Sequence, residues 1–224
     1  MAGTGKLATV FGGSGFVGRQ IVWSLARRDY RVRAAVRRPD LAGYLQPMGV
    51  VGQVHAVQAN LRFADSIVRA VEGAETVINS VGILAPAGAQ TFEALHVEGA
   101  RRIAKAARDA GAQRLVHISA IGADKDSSSR YAATKAEGEA AVLSEFPSAI
   151  ILRPSIVFGT EDQFFNRFAA LARISPVLPL VGGGRTKFQP VFAGDVGEAA
   201  ANAVTGGGKP GTVYELGGPQ VVTF

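Results

Sequence analysis

The sequence contains no cysteine and only three histidines in its 224 residues. Without thiols the chain can form neither a disulfide framework nor a thiolate metal site, which fits a reducing compartment. His55, His96 and His117 lie far apart in the sequence and lack the spacing that metal ligands usually show. We therefore expect no structural zinc or haem site.

Long apolar runs are absent as well. No run reaches the ~18 residues that a membrane-spanning helix requires. The first strand that we predict begins so close to Met1 that we expect no signal peptide. The chain is 47% hydrophobic and 19% charged, which suffices for a sizeable core. Its length suits one large domain, or one domain with a small lobe.

Acidic residues are outnumbered, with 18 Asp and Glu against 24 Lys and Arg, so the net charge is +6. Basic residues cluster locally at 27–38 and 101–108. We expect no nucleic-acid partner, because these clusters are not interleaved with aromatic residues and no nucleic-acid-binding module is evident. A solvated surface, an anionic membrane and an acidic protein partner are all compatible with this charge.

The most informative stretch is a strand–turn–helix–strand unit at residues 7–36. Residues 7–11 are typical of a buried strand, residues 17–26 have helical spacing of apolar positions, and residues 32–36 resemble a second strand. Here a glycine-rich turn predicts dinucleotide binding: one glycine permits the tight turn, one lets a pyrophosphate approach, and one lets the helix pack closely. A turn that binds nothing is the alternative. The glycines are Gly12, Gly15 and Gly18.

Strand and helix patterns alternate through the rest of the chain. Further strands are predicted at 50–56, 75–81, 114–120, 149–158, 189–192 and 213–216. Further helices are predicted at 64–71, 91–110, 130–143, 163–174 and 195–204. This alternation predicts an α/β fold with a Rossmann-like, doubly wound parallel sheet that binds its ligand beyond the carboxyl ends of the strands.

The composition changes near Ser175, where prolines and glycines interrupt the alternation. We therefore predict an NAD(P)-binding Rossmann domain over residues 1–174. A small C-terminal lobe, integrated with that domain, is predicted over residues 175–224. Because the sequence ends on an apolar run at Phe224, we expect that the native chain continues further.

The residues that follow the second strand bear on the choice of cofactor. An acidic residue here hydrogen-bonds the ribose 2′-hydroxyl of NAD, whereas an arginine accommodates the 2′-phosphate of NADP. The chain has Arg37 and Arg38 here, and no acid before Asp40. This favours NADP(H), because a guanidinium holds a phosphate through charge-assisted hydrogen bonds. NAD(H) is the alternative cofactor, and solvated loop arginines are the alternative interpretation.

Tyr131 and Lys135 lie four residues apart in a predicted helix and would share one face. A nearby ammonium favours the phenolate, so we expect Lys135 to lower the pKa of Tyr131 towards a range useful for proton transfer. The position of the pair, after the fifth predicted strand, favours a catalytic role beside the cofactor. Two surface neighbours without a function are the alternative.

Four motifs together resemble the short-chain dehydrogenase/reductase superfamily in its extended or atypical branch. They are GGSGFVG after the first predicted strand, Arg37 after the second, YAATK after the fifth and RPSIVFG on the sixth. More narrowly, SSSRYAATKAEGE, RPSIVFGTEDQFFNRFA and QPVFAGDV resemble the NADPH-binding accessory subunits of respiratory NADH:ubiquinone oxidoreductase (complex I) and their bacterial homologues. The resemblance, which covers nearly the whole chain, implies partners among membrane-associated subunits of the respiratory complex. It implies a location either in the cytoplasm or peripheral on the inner face of the cytoplasmic or inner mitochondrial membrane.

The resemblance also implies a set of cofactor contacts. Those to the pyrophosphate would come from Gly12, Ser14, Gly15, Phe16 and Val17. Those to the adenosine half would come from Arg37 at the 2′-phosphate, Asn60 and Leu61 at the adenine, and Ser80, Val81 and Gly82 at the ribose. Those to the nicotinamide half would come from Lys135, Pro154, Ser155 and Ile156. The set is completed by Gly18, Arg38 and Ser119. For Ser80 and Ser155, a hydroxyl satisfied at a strand end is the alternative.

One position departs from the family pattern. Catalytically competent relatives carry a Ser or Thr hydroxyl shortly after the fifth strand, where this chain has Ile121. Such a hydroxyl polarises the substrate carbonyl, and its loss removes transition-state stabilisation. Three functions therefore remain open: an accessory component of complex I that holds NADPH structurally, a soluble reductase or sugar-nucleotide epimerase/dehydratase-like enzyme that uses Tyr131 and Lys135, and a sensor of the NADP(H) redox state.

Overall fold

The computed structural model describes residues 5–162, 164–174 and 181–223. The first half of the chain contains β1 (Leu7–Phe11), α1 (Phe16–Ala26), β2 (Arg31–Val36), β3 (Val54–Gln58), α2 (Ala64–Val71), β4 (Thr76–Asn79) and α3 (Ala100–Asp109). The second half contains β5 (Arg114–Ile118), α4 (Arg130–Glu145), β6 (Ile150–Pro154), β7 (Val157–Phe158), α5 (Phe165–Ile174), β8 (Lys187–Phe188), β9 (Val191–Phe192), α6 (Ala193–Val204), β10 (Val213–Leu216) and β11 (Val222–Thr223).

Seven strands form one parallel sheet in the order β3–β2–β1–β4–β5–β6–β10. Val10 of β1 lies opposite Ala34 of β2 on one side and Ile78 of β4 on the other. The strand order reverses between β1 and β4, so the crevice beyond their carboxyl ends is the topological switch point. The predicted Rossmann-like α/β fold is confirmed.

Helices cover both faces of the sheet, which explains why the central strands β1 and β4 are buried on both faces. α1 and α6 share one face, where Leu25 and Val204 belong to the same buried core. These two helices touch closely, since a Cβ on Gly197 would lie 2.8 Å from the backbone of Gln20. α2, α3 and α4 cover the other face, where Ile67, Ile103 and Val142 belong to the second buried core.

The sequence pattern predicted that the third strand begins at residue 50. In the structure it begins at Val54. A 3₁₀ helix (Gly43–Met48) and a turn occupy the preceding residues. The buried amide of Gln53 holds this turn: it accepts the N–H of Val50 at 2.9 Å and donates to two carbonyl oxygens of the α1–β2 connection at 2.7 and 3.0 Å. The apolar residues at the start of the predicted strand are therefore drawn into a turn.

The strand predicted at 149–158 is two strands. β6 ends at Pro154, whose nitrogen carries no hydrogen with which to continue the ladder. β7 then leaves the main sheet and pairs with β9, so that Val157 lies opposite Val191. The change of sheet brings the β6–β7 junction beside the carboxyl end of β5, where the backbone N–H of Ile121 donates to the carbonyl oxygen of Pro154 at 3.0 Å.

The C-terminal part of the chain contributes to the main sheet as well as to two small ones. β10 extends the main sheet beside β6, with Tyr214 opposite Leu152. The pairs β7–β9 and β8–β11 form two-stranded sheets. Positions 163, 175 and 224, at which we predicted a helix start, the start of a lobe and an apolar end, lie outside the described residues. The domain boundary therefore stays a prediction.

Candidate functional site

The glycine turn between β1 and α1 depends on two of its glycines. Gly12 has a φ of +75°, which L side chains rarely adopt, and its N–H donates to the carbonyl oxygen of Ala35 at 3.0 Å. A Cβ on Gly18 would lie 2.0 Å from the carbonyl oxygen of Gly12, so only glycine lets α1 pack this closely on the turn. The predicted tight turn and close packing are both present.

The turn leaves the start of α1 open to an anion. Among the described residues no side chain caps this helix, and its first turn carries no acidic residue. The first N–H groups of a helix have no intrahelical acceptor, and the macrodipole favours negative charge there. Gly15 stands at this end with its N–H on the carbonyl oxygen of Gly12 at 2.8 Å. The arrangement suits a phosphate group.

A cavity of about 440 Å³ opens at the switch point beyond the carboxyl ends of β1, β2 and β4. Nine of the cofactor-binding residues predicted from the sequence line it: Gly12, Ser14, Gly15, Arg37, Asn60, Leu61, Ser80, Val81 and Gly82. The remainder of the wall comes from Phe11, Ala35, Val36, Ala59, Arg62, Ile83, Ala87, Ala89, Gln90 and Leu95. Other predicted residues lie outside this wall: Phe16, Val17, Gly18, Arg38, Ser119, Tyr131, Lys135, Pro154, Ser155 and Ile156.

The two arginines after β2 have different positions. Arg37 lines the cavity, and its Nη1 donates to Oε1 of Gln90 at 2.6 Å. Arg38 does not line it, and its exposed guanidinium binds the carboxylate of Asp40, with Nη2 2.7 Å from Oδ2. Of these two arginines, Arg37 is the one positioned to meet a ligand in the cavity.

Side-chain hydrogen bonds fix the backbone of the cavity wall that is expected to contact the adenine. Ser66 exchanges hydrogen bonds with the backbone of Asn60, at 3.0 Å from its N–H and 2.9 Å to its carbonyl oxygen. The side chain of Asn60 accepts the N–H of Arg62 at 3.1 Å, and Arg102 donates to the carbonyl oxygen of Leu61 at 3.0 Å. Arg62, which the sequence analysis missed, adds a second guanidinium to the wall.

Ser80 holds the strand end. Its hydroxyl donates to the carbonyl oxygen of Phe11 at 2.8 Å, and its N–H donates to the same oxygen at 3.0 Å. This is the satisfied strand-end hydroxyl that the sequence left open as an alternative. For Ser155 the hydrogen bond comes from the backbone: its N–H donates to the carbonyl oxygen of Leu216 in β10, at 2.8 Å.

Tyr131, Lys135 and Glu139 form one stripe along α4, each four residues from the next. The ammonium of Lys135 is buried and donates to the carbonyl oxygen of Ile118 at 3.0 Å. Burial lowers the pKa of Lys135 to about 8, opposed by the negative charge of Glu139. Burial raises the pKa of Tyr131, so the expected lowering by the lysine is wrong.

Two of the three histidines lie beside Lys135, a proximity that their sequence spacing hid. Nε2 of His96 accepts the N–H of Ile83 at 3.1 Å, so the proton of the neutral ring is on Nδ1, which lies 3.1 Å from Oγ1 of Thr134. A Cβ on Gly82 would lie 3.6 Å from Nζ of Lys135 and 3.9 Å from Nε2 of His96. Burial, followed by the charge of Lys135, lowers the pKa of His96 to about 4.

His117 lies in β5 and is buried near Lys135 and His96. It lies opposite Asn79 in the β4–β5 ladder, and its Nδ1 is 3.0 Å from Nδ2 of that residue. Burial lowers the pKa of His117 to about 3, with the charges of Lys135 and His96 acting in the same direction. Both histidines are therefore neutral near pH 7.

A π-helical turn brings His96 to this position. The helix predicted at 91–110 begins at Phe92 and is π-helical over Glu93–Gly99 before α3. Gly138 of α4 packs directly on it, since a Cβ there would lie 2.1 Å from the carbonyl oxygen of His96. Wide turns of this kind are frequent at functional sites.

Ser119, which the sequence assigned to cofactor binding, belongs to a separate buried network. Its hydroxyl donates to the carboxylate of Glu139. Arg153 binds the same carboxylate through two hydrogen bonds, of 2.9 and 2.7 Å. Ile121, where relatives carry the carbonyl-polarising hydroxyl, is half exposed. Among the residues that the structure describes, no group of three or more His, Asp or Glu side chains could hold a metal ion.

A family model described as NAD(P)H-binding matches residues 12–156, which include the glycine turn, all of the cavity wall except Phe11, and α4. The chain belongs to the NAD(P)H-binding family. The geometry of this NAD(P)H-binding domain fits the cofactor: the helix N-terminus is free of acidic residues, Gly12 and Gly18 shape the turn, and Arg37 stands on the wall.

Curated relatives of this NAD(P)H-binding chain carry two kinds of name. NADH dehydrogenase (ubiquinone) 1 alpha subcomplex subunit 9, mitochondrial, of Arabidopsis thaliana is 39% identical over 223 residues, which are 98% of this chain and 56% of that protein. Ceramide reductase of Caulobacter vibrioides is 35% identical over 175 residues, covering 78% of this chain and 54% of that protein. The chain thus spans little more than half the length of these relatives.

A solved structure shares the fold of the NAD(P)H-binding domain. The dTDP-glucose 4,6-dehydratase DesIV of Streptomyces venezuelae, with NAD and TYD bound, superposes with a TM-score of 0.81 at 23% identity, covering 97% of this chain and 77% of that one. At this identity the likeness shows the fold alone. No helix in the described parts of the chain is long and apolar enough to cross a membrane.

Proposed function

We propose that this domain binds NADPH in preference to NADH, as part of an accessory component of a respiratory NADH:quinone oxidoreductase. The observation that carries the cofactor preference is the position of Arg37, at the end of β2 and in the cavity wall. Asp40, the nearest acid along the chain, is bound by Arg38 and does not line the cavity. A guanidinium without a competing carboxylate favours the 2′-phosphate.

Each wall of the cavity has a separate task in this proposal. The N–H groups at the start of α1 bind the pyrophosphate, and Arg37 binds the 2′-phosphate. The Asn60–Leu61 turn orients the adenine, and the ammonium of Lys135 hydrogen-bonds the hydroxyls of the nicotinamide ribose. When bound, the nicotinamide supplies hydride chemistry or, in a structural role, none. In that structural role, binding to the native state alone stabilises the fold by ~3–4 kcal/mol at several hundred times Kd.

Two observations support an accessory role rather than an enzymatic one. Ile121 supplies no hydroxyl at the position from which relatives polarise a carbonyl. Tyr131 has a raised pKa, and the ammonium that would lower it is bonded to Ile118. The name of the Arabidopsis relative supports the choice of complex. Partners would be the membrane-associated subunits of that complex, and the chain would be peripheral on the inner face of the membrane.

A second candidate is a soluble NADPH-dependent reductase. It is favoured by the stripe of Tyr131 and Lys135 on α4, with Lys135 next to Gly82 of the cavity wall. The likeness to a ceramide reductase also favours it. Tyr131 would then donate a proton to a substrate carbonyl, and Lys135 would orient the ribose.

Single-turnover absorbance at the reduced-nicotinamide band separates the two candidates. Protein loaded with NADPH is mixed with a panel of quinones and small carbonyl compounds. In an accessory role the bound NADPH stays stoichiometric and reduced, and the protein co-purifies with membranes until high salt releases it. Oxidation that Tyr131→Phe abolishes would establish the reductase instead.

A further inference from the structure

We propose that Gln90 is a specificity-determining residue that presents Arg37 to the 2′-phosphate and adds a hydrogen bond of its own. The inference rests on the proposed NADPH preference and deepens it. Gln90 lies 53 positions further along the chain than Arg37, on a loop between β4 and the π-helical turn. Neither the glycine pattern nor the arginine signal points to it.

The orientation of the Gln90 amide follows from its partner. A guanidinium carries only donors, so the amide atom that faces Nη1 of Arg37 at 2.6 Å is the oxygen. The NH₂ of the same amide is attached to the same carbon and is a second donor beside the guanidinium. An anion that reaches Arg37 in the cavity therefore meets two neighbouring groups that can donate to it.

The backbone holds Gln90 in this place. Gln90 and Ala87 exchange backbone hydrogen bonds of 3.0 Å in both directions across a tight turn, in which Gly88 has a φ of +55°. The next residue, Thr91, accepts the N–H of Ala94 on its hydroxyl at 3.1 Å, which anchors the turn to the helix that follows. Ala87, Ala89 and Gln90 all line the cavity. The loop is thus part of the wall.

The contact with Gln90 lowers the entropy that Arg37 loses when it binds a ligand. Arg37 is exposed, and a free arginine side chain loses rotamer entropy when it binds a phosphate. Gln90 restrains the guanidinium before the ligand arrives, and as a neutral partner it leaves the full positive charge for the phosphate. A carboxylate at the same position would neutralise that charge and repel a 2′-phosphate.

The test measures the affinities for NADPH and NADH by calorimetry in the wild type and three variants. Gln90→Glu keeps the shape and adds a negative charge, and Gln90→Ala removes the contact. Gln113→Glu adds the same charge at an exposed position next to Glu75, at the amino ends of β4 and β5, opposite the cavity. We expect Gln90→Glu to weaken NADPH binding by about 30-fold and NADH binding by less than about 2-fold. Gln90→Ala should weaken NADPH binding by about 5-fold, and Gln113→Glu should change neither affinity.

Two results would separate the failure of this inference from that of the proposed function. If the wild type binds NADPH no more tightly than NADH, the proposed preference fails and the inference fails with it. If the wild type prefers NADPH but Gln90→Glu and Gln90→Ala weaken both ligands equally, the preference stands and Gln90 only supports the loop. Circular dichroism of each variant checks that the fold is intact, and either Gln90 variant suffices for the comparison.

Discussion

The ammonium nitrogen of Lys135 donates a 3.0 Å hydrogen bond to the carbonyl oxygen of Ile118, at the end of β5. A buried ammonium is thus held by a backbone carbonyl and by the nearby charge of Glu139, and it is not bonded to the phenol one helical turn away. The helical spacing of Tyr131 and Lys135 predicted the proximity of the two residues. It did not predict that the lysine would donate its hydrogen bond to a carbonyl oxygen of the sheet.

The depressed pKa of Lys135 makes the stability of the fold depend on alkaline pH. Because its pKa is about 8 in the folded state and 10.5 when exposed, the unfolded state binds the proton more tightly between these values. The cost of burying the charge is complete below pH 8 and is relieved as the pH rises to 10.5. Relative to Lys135→Met, the wild type should therefore gain roughly 3 kcal/mol of unfolding free energy over this range. Urea unfolding from pH 7 to 10.5 measures it, with the exposed Lys125→Met as the matched control; a constant difference would contradict the prediction.

The lowered pKa of His96 makes the stability of the fold depend on acidic pH. The pKa of His96 is about 4 in the folded state and 6.5 when the ring is exposed, so the unfolded state takes up a proton first as the pH falls. Stability should drop between pH 6.5 and 4, by on the order of 2–3 kcal/mol from this residue. His96→Gln removes the titration, and its unfolding free energy should fall less steeply with acid. His55→Gln, at an exposed position, should retain the steep fall.

Reversal of charge at Arg37 tests the cofactor preference. Arg37→Glu should weaken NADPH binding by about 100-fold, because charge-assisted hydrogen bonds are replaced by repulsion, and should affect NADH far less. Arg38→Glu introduces the same charge change outside the cavity wall and should affect NADPH only slightly. Calorimetry measures both affinities. If Arg37→Glu weakens NADPH and NADH binding equally, Arg37 does not bind the 2′-phosphate.

The contact between Gly138 and the π-helical turn predicts a large cost for a small substitution. A Cβ at this position would lie 2.1 Å from the carbonyl oxygen of His96, so Gly138→Ala must push α4 away from the turn. We expect a loss of about 1–3 kcal/mol of unfolding free energy, although alanine favours helix. Gly43→Ala, where a Cβ would have no neighbour within 4 Å, should change stability by less than about 0.5 kcal/mol. Urea unfolding measures both variants. If they lose similar unfolding free energy, α4 can move away from the π-helical turn without a cost in stability.

Local physics made much of the nucleotide-binding end predictable from the sequence. The β1–α1–β2 unit was recognisable because Gly12 must turn with a positive φ and Gly18 must pack against that turn, both within a few residues. Arg37 was recognisable because its place is set by the end of one strand. Helix α2 and strand β10 have the predicted bounds for the same reason: their apolar positions repeat with a clear period.

Features that depend on distant partners could not be predicted in this way. His96 and His117 meet Lys135 only because a π-helical turn, a strand and α4 converge, and no sequence spacing records that. Gln90 reaches Arg37 through a loop whose conformation is set by its own turn. The late start of β3 depends on the amide of Gln53, which binds backbone of the α1–β2 connection. Each of these features depends on a long-range polar contact, and hydrophobic periodicity does not indicate such contacts.

The return of the chain to β6 at β10 sets an order of events during synthesis. α6 is made about forty residues after β6 ends and covers the face of α1, which was formed first; β10 follows α6 and pairs with β6 only after about sixty intervening residues have been made. β6 stays an open edge until residue 216 emerges, and until residue 204 emerges the α1 layer is uncovered as well. A nascent chain that stalls in this interval would expose both, and would be a natural client for a chaperone. The cavity wall, built from residues 11–95, would be made before the last strand joins the sheet that supports it.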